Sequence, residues 1–155
     1  SNITDRKLEI GVVIGPCFSK SLKEIIRSTI AEVDHKWELV ESPDSLASWI
    51  YWADVAISST GSTKYELALL GTPGLFLSID SAHVEMNSSF ETVEAGWHLG
   101  VYNSVTIEKI NESLTELLEN QSLRKTMAIN GMALLDANGS DRILNAINME
   151  ILNVK

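Results

Sequence analysis

The chain has 155 residues, 12 Lys+Arg against 21 Asp+Glu, and a formal net charge of −9. That length accommodates one hydrophobic core, and the 45% hydrophobic and 21% charged fractions exclude a disordered chain. A pI near 4.7 without a basic cluster argues against nucleic acid as a partner. No apolar run approaches the ~20 residues of a membrane span. The single Cys17 excludes an intrachain disulfide and a cysteine-rich zinc site, and points to a reducing, cytoplasmic setting. The opening Ser1-Asn2-Ile3 lacks a basic-then-apolar secretion pattern, so the five Asn-x-Ser/Thr triplets read as coincidence.

Strand-like and helix-like segments alternate along the chain. Leu8 to Ile14 is a short β-branched run of the kind that forms a buried parallel strand. After Gly15-Pro16, the spacing of Leu22, Ile25, Ile26, Thr29, Ile30 and Val33 predicts a helix. Trp37 to Val40 reads as a second strand, and Ser45 to Trp52 as a short helix capped by Asp44 or Ser45. Asp54 to Ser58 is a third strand, followed by a hydroxyl-rich loop and a helix from about Ser62 to Leu70 that Gly71 terminates. Leu75 to Ile79 is a fourth strand. A helix from about Val84 to Ala95 closes at Gly96, and His98 to Tyr102 makes a fifth strand.

From Thr106 onward the pattern is helical, with three apolar stripes: Ile107 to Leu118, Leu123 to Leu135, and Ile143, Ile147 and Ile151. Asn138-Gly139 is the last turn, with Ser140 as an N-cap candidate. No repeat or linker divides the chain, so residues 1–155 read as a single domain. The expected fold is α/β, a Rossmann-like doubly wound parallel sheet with a helical C-terminal tail.

In such sheets ligands sit beyond the carboxyl ends of the strands. Three loops qualify: Gly15 to Lys20, Ser58 to Thr63, and Asp80 to Val84. The middle loop sets five hydroxyls and Gly61 between a strand and a helix start. Glycine admits a close ligand, and the helix's free N–H groups and dipole attract phosphate without any basic patch. The plainer reading, that these hydroxyls only cap the helix, stands beside it with equal weight. Neither the G-x-G-x-x-G turn of dinucleotide oxidoreductases nor a P-loop is present.

The stretch Ala53-Asp54-Val55-Ala56-Ile57-Ser58-Ser59-Thr60-Gly61-Ser62-Thr63-Lys64-Tyr65-Glu66, closing at Gly71-Thr72-Pro73, resembles a motif of the C-terminal, nucleotide-sugar-binding half of GT-B enzymes. The resemblance is nearest to the UDP-sugar hydrolase of pseudaminic acid synthesis and extends to the peptidoglycan N-acetylglucosamine transferase. It implies that Thr60, Gly61, Ser62 and Thr63 hold the diphosphate of UDP or a UDP-sugar. Glu66 would bind the two ribose hydroxyls, which one carboxylate can accept together. Gly15 would bring backbone against the phosphates, and His83 and Asn87 would lie near the sugar. Where the hydrolases carry an Asn-Gln pair, this chain has Ser81-Ala82-His83-Val84-Glu85-Met86-Asn87.

GT-B enzymes place the active site between two Rossmann-like halves, and the hydrolases carry their catalytic histidine in the N-terminal half. The resemblance therefore implies a domain excised from a longer two-domain enzyme, a UDP-sugar hydrolase or glycosyltransferase of surface-polysaccharide or nonulosonic acid biosynthesis. The missing N-terminal domain would be its partner, the chain alone would be inactive, and no catalytic residue is assigned within it. A non-catalytic carbohydrate- or protein-binding module and a UDP-sugar 2-epimerase-type domain are the alternatives. No cofactor is expected, and no metal site, because His35 and His98 have no acidic or cysteine partner at ligand spacing. Cys17 reads as a small apolar filler rather than a nucleophile, Lys20 and Lys64 as solvated lysines near helix starts with phosphate contact as the alternative, and Trp49, Ile50 and Trp52 as core or inter-domain contacts with uracil stacking as the alternative. An apolar cleft face including Phe18 is expected to be left bare.

Overall fold

The structure, a computed structural model, describes residues 7–59 and 61–153, without the side chains of Met86, Asn87 and residues 150–153. The chain alternates β1 (Glu9–Ile14), α1 (Lys20–Ala31), β2 (Lys36–Glu41), α2 (Ala47–Trp52), β3 (Ala56–Ser59), α3 (Thr63–Leu70), β4 (Gly74–Ser78), α4 (Val84–Thr92) and β5 (Gly96–Val101). Three helices follow: α5 (Ile107–Glu119), α6 (Gln121–Leu134) and α7 (Gly139–Asn153). This is the expected α/β order with a helical tail.

Every strand pair is parallel, but the strands form two ladders, β2-β1 and β3-β4-β5. β4 is the most buried strand, as the middle position of its ladder requires. Leu75, Leu99, Leu117 and Met127 form one core cluster on its ladder, and Ile50, Leu67, Ala68, Phe76, Phe90 and Ala95 form another. β1 contributes only Ile14 to the fully buried apolar set.

Glycines set three close approaches. A Cβ on Gly11 would lie 2.9 Å from the Trp49 ring, so β1 accepts α2 only because that position is bare. Gly74 and Gly96 lie beneath the Phe76 ring, and Gly131 of α6 packs on the Ala68 backbone of α3. Gly71 ends α3 at φ 74, the left-handed cap the sequence predicts.

Three boundaries differ from expectation, while α4 starts at Val84 as expected. Leu46, not Asp44 or Ser45, is the residue before α2, although the Ser45 hydroxyl accepts the Ala47 N–H at 3.2 Å. A 3-10 turn over Ser81–His83 precedes α4. α4 stops at Thr92 because Glu94 adopts φ 54 and the Ala95 N–H returns to the Phe90 carbonyl at 2.9 Å, which places Gly96 in β5. Ser140 lies inside α7, whose first turn begins with Arg142 N–H donating to the Asn138 carbonyl.

The third apolar stripe is not core. Ile143 and Ile147 are 63% and 50% exposed, along with Leu144 and Met149 on the same helix. The side chain of Ile151 lies outside the described residues.

Candidate functional site

The β3–α3 connection forms the centre of the candidate site. Ser59 ends β3 opposite Leu77 of β4, so the loops that leave these adjacent parallel strands emerge side by side. Within the first of them, the Ser58 hydroxyl donates to the Ser59 carbonyl at 3.2 Å. Thr60 lies outside the described residues. Gly61 is exposed, and a Cβ there would meet nothing within 4 Å, so its absence of side chain leaves an open approach and not a packing contact.

Ser62 occupies the position before α3 in helical backbone, φ −64 and ψ −27, and its side chain makes no capping bond. The helix-capping reading of this loop therefore fails at Ser62, whose hydroxyl is not consumed by the helix start. Thr63 is the first residue of α3 and Glu66 lies one turn further on, half-buried and without an ion pair among the described residues. Thr63, Ser62 and Glu66 thus share the amino-terminal turn of one helix.

Lys64 departs from its predicted place. It is 1% exposed, with its ammonium 5.1 Å from the Tyr65 ring centroid and 5.3 Å from that of Phe90. Burial pushes its pKa down, and the two aromatic faces provide a cation–π environment in place of water.

The loop after β1 is a turn in which the Phe18 N–H donates to the Gly15 carbonyl at 3.4 Å. Ser19 caps α1, accepting the Leu22 N–H at 3.2 Å. Cys17 is exposed, contrary to its reading as an apolar filler, and Phe18 is 41% exposed, as a bare cleft face predicts.

After β4, Asp80 accepts both the His83 N–H, at 3.1 Å, and a contact from His83 Nδ1 at 2.7 Å. This pairing holds the Asp80 carboxyl below the usual carboxylate range. His83 therefore presents a ring held at Nδ1 by its carboxylate. Asn87 lies on α4, and its side chain is outside the described residues. His98 is committed elsewhere, 2.9 Å from the buried Ser78 hydroxyl. Among the described residues no group of His, Cys, Asp and Glu is arranged to hold a metal ion.

A feature with no signature in the sequence lies beside these loops. A cavity of about 780 Å³ is lined by residues 7–11 and Val13 at β1 and by Asp54 to Ser58 at β3, and reaches Thr63. Trp37, Trp49 and Trp52 also line it. Trp49 and Trp52 meet edge-to-face at 6.2 Å, and Trp52 is 50% exposed, so of the three residues expected as core or inter-domain contacts Ile50 alone is buried in the core.

No protein-family profile matches the chain. The spore coat polysaccharide biosynthesis protein SpsG of Bacillus subtilis (strain 168) is 26% identical over 121 residues, covering 78% of this chain and 35% of that protein. The crystal structure of MurG from Acinetobacter baumannii superposes with a TM-score of 0.73 at 17% identity, over 96% of this chain and 54% of that one. A Listeria monocytogenes protein assigned as a UDP-N-acetylglucosamine 2-epimerase superposes with a TM-score of 0.66 at 17% identity, over 91% and 36%. The chain thus spans about a third to a half of the proteins it matches, and its α/β architecture resembles GT-B C-terminal domains.

Proposed function

We propose that this domain binds the UDP portion of a UDP-sugar, as the C-terminal half of a two-domain GT-B enzyme acting in polysaccharide or nonulosonic acid biosynthesis. The observation that carries the reading is the α3 start. Ser62 leaves its hydroxyl unspent beside the open Gly61, at a helix terminus whose dipole favours a diphosphate. Glu66, one turn on, is free of ion pairs among the described residues and suits two vicinal ribose hydroxyls. The SpsG similarity supports a role in polysaccharide synthesis, and the MurG and epimerase likenesses are consistent with a nucleotide-sugar ligand.

Whether the parent enzyme hydrolyses or transfers the sugar depends on groups that complete the cleft. His83, held by Asp80, is assigned to the sugar side of the ligand by its place in the loop after β4. Gly15, at the end of β1, supplies backbone to the phosphates from the opposite side, and Thr60 and Asn87 belong to the proposed site by their motif positions.

Calorimetric titration with UDP, UMP and CMP tests the reading. UDP is expected to bind more tightly than UMP, because the second phosphate meets the helix terminus, and CMP more weakly than UMP if the base is read. Absence of UDP binding would favour the non-catalytic module. The chain alone is expected to show no UDP-sugar turnover, since half of a two-domain cleft leaves reacting groups unpositioned.

A further inference from the structure

We infer that Asp80 is a positioning residue of the proposed site: by holding His83 at Nδ1 it makes the other ring nitrogen a hydrogen-bond acceptor that reads a hydroxyl of the sugar. The inference rests on the UDP-sugar reading above and adds to it what the sugar must offer at this place.

One oxygen of Asp80 serves two groups. Asp80 precedes the 3-10 turn of Ser81–His83 in extended backbone, φ −150 and ψ 178, and its Oδ1 accepts the His83 N–H at 3.1 Å. The same Oδ1 lies 2.7 Å from His83 Nδ1. The first contact is ordinary capping, which Ser, Thr or Asn would serve as well. The second needs an acceptor aimed at the ring, and it holds the imidazole against its own turn.

The helix that follows does not use this ring. His83 stands before α4 in helical backbone, φ −88 and ψ −4, and its side chain makes no capping bond. Ser62 stands in the same relation to α3, also with no capping bond. The two helices are neighbours, with the Tyr65 and Phe90 rings 5.6 Å apart. Their preceding strands are paired, Ser59 opposite Leu77. The His83 turn and the glycine-hydroxyl loop therefore leave the same edge of the sheet, where the His83 side chain is 41% exposed.

The other two histidines are placed differently. His35 precedes β2, at the opposite end of the strands, and His98 lies within β5, 2.9 Å from the buried Ser78 hydroxyl through Nε2. Of the three, His83 is the one held by a carboxylate at the carboxyl ends of the strands.

The chemistry of the pair sets its polarity. The His83 contact keeps the Asp80 carboxyl below the usual carboxylate range, so near neutrality it is ionised and can only accept. The proton between the two groups therefore sits on Nδ1. In the neutral ring Nε2 then carries the lone pair. It accepts from a sugar hydroxyl and offers nothing to a carbonyl oxygen. An amide side chain at this place would both donate and accept. The Asp80–His83 pair thus narrows recognition to a donor on the sugar.

The test uses the 155-residue chain with Asp80→Asn and His83→Ala, and the ligands UDP and UDP-N-acetylglucosamine. Asparagine keeps an oxygen for the His83 N–H and so keeps the turn, but its amide can also donate to the ring and no longer dictates the tautomer. Imidazole nitrogen chemical shifts at about pH 8, above the ordinary histidine range, report which nitrogen of His83 carries the proton. The expected result is Nδ1 in the unmutated chain and a mixture in Asp80→Asn. Calorimetry reports the ratio of the two affinities, in which any change common to both ligands cancels. UDP-N-acetylglucosamine is expected to bind more tightly than UDP. Each substitution should reduce that preference by about three- to ten-fold, the worth of one hydrogen bond. Adding Asp80→Asn to His83→Ala should change the ratio no further, because Asp80 acts through the ring. A proton on Nε2 in the unmutated chain, a ratio that neither substitution moves, or a further loss from Asp80→Asn in the absence of His83 would each overturn the inference, while UDP binding leaves the proposed function standing. Failure of the unmutated chain to bind UDP would overturn the proposed function and this inference with it.

Discussion

The Phe76 ring lies across Gly96 so closely that a Cβ on that glycine would stand 2.4 Å from Cε2 and 3.0 Å from the Gly74 carbonyl oxygen. One large side chain on β4 thus fills space vacated on its neighbour β5. Gly96→Ala is expected to destabilise the domain by about 1–3 kcal/mol through overpacking. Phe76→Leu in the same chain should recover part of that loss, since the clash is with the ring. Urea unfolding of the single and double variants measures both, and additive losses would show that the two residues do not share the space.

A second close approach joins α3 to α6. A Cβ on Gly131 would lie 3.1 Å from the Ala68 Cα and 3.2 Å from its carbonyl oxygen, both backbone atoms that cannot rotate away. Gly131→Ala is expected to cost stability, about 1–2 kcal/mol, despite alanine's better helix propensity. Because α3 also carries Glu66, the substitution should weaken UDP binding as well, a coupling that titration of the variant would detect.

Glu66→Ala should weaken UDP binding by roughly 1.5–3 kcal/mol, the range for hydrogen bonds to a charged group. Ser62→Ala should cost less, because backbone donors at the helix start remain. The comparison ligand is 2′-deoxy-UDP. If Glu66 reads the ribose, the unmutated domain distinguishes the two ligands and Glu66→Ala largely loses the distinction. Equal binding of both by the unmutated domain would remove Glu66 from the site.

Acid should act partly through Glu41, which accepts from Lys23 at 2.8 Å and also pairs with Arg27. The Lys23 hydrogen bond, aided by both charges, holds the carboxyl below its ordinary value. A lowered carboxylate pKa contributes stability above the unfolded-state value, about 4.3 for glutamate, and loses it as pH falls through the folded value. Glu41→Gln should therefore flatten the loss of stability below about pH 4.3 and change little near neutrality, where exposed pairs contribute modestly. Thermal midpoints across pH 3 to 7, taken here as an approximate range around that titration, report the slope.

The apolar stripe of α7 offers a contrast with the core stripes of α5 and α6. Ile143→Glu and Ile147→Glu remove 63%- and 50%-exposed side chains. Each is expected to change stability by no more than about 0.5 kcal/mol, measured by urea unfolding. A large loss would mean that this face is covered in solution.

Much of the layout is readable from residue type. Short apolar runs mark β1, β3 and β4, and Gly71 marks the end of α3, because strand burial and left-handed caps each demand particular residues. The end of α4 is hidden since Glu94, an ordinary residue, makes the left-handed turn and leaves Gly96 for the sheet. The α7 stripe has the same spacing as a core stripe, and spacing does not say whether another surface covers it. At the site, the glycine-hydroxyl loop is legible from its composition, whereas the burial of Lys64 depends on Phe90, remote in sequence. The split between β1 and β3 is illegible for a different reason: each strand looks like an interior strand, and nothing in either run identifies its neighbour.

The uneven distribution of the core gives the two ladders different mechanical characters. Both buried clusters belong to the region built on β3, β4 and β5, and β1-α1-β2 is tied down chiefly by Ile14 and its own ladder. Such a segment opens as a separate cooperative unit at a lower free energy than the whole domain. Proteases should accordingly nick the connection around Ser42 to Asp44 first, leaving a resistant remainder. The Gly15 loop rides on the first unit and the Ser62 helix on the second, so one wall of the proposed site is expected to adjust while the other holds its shape.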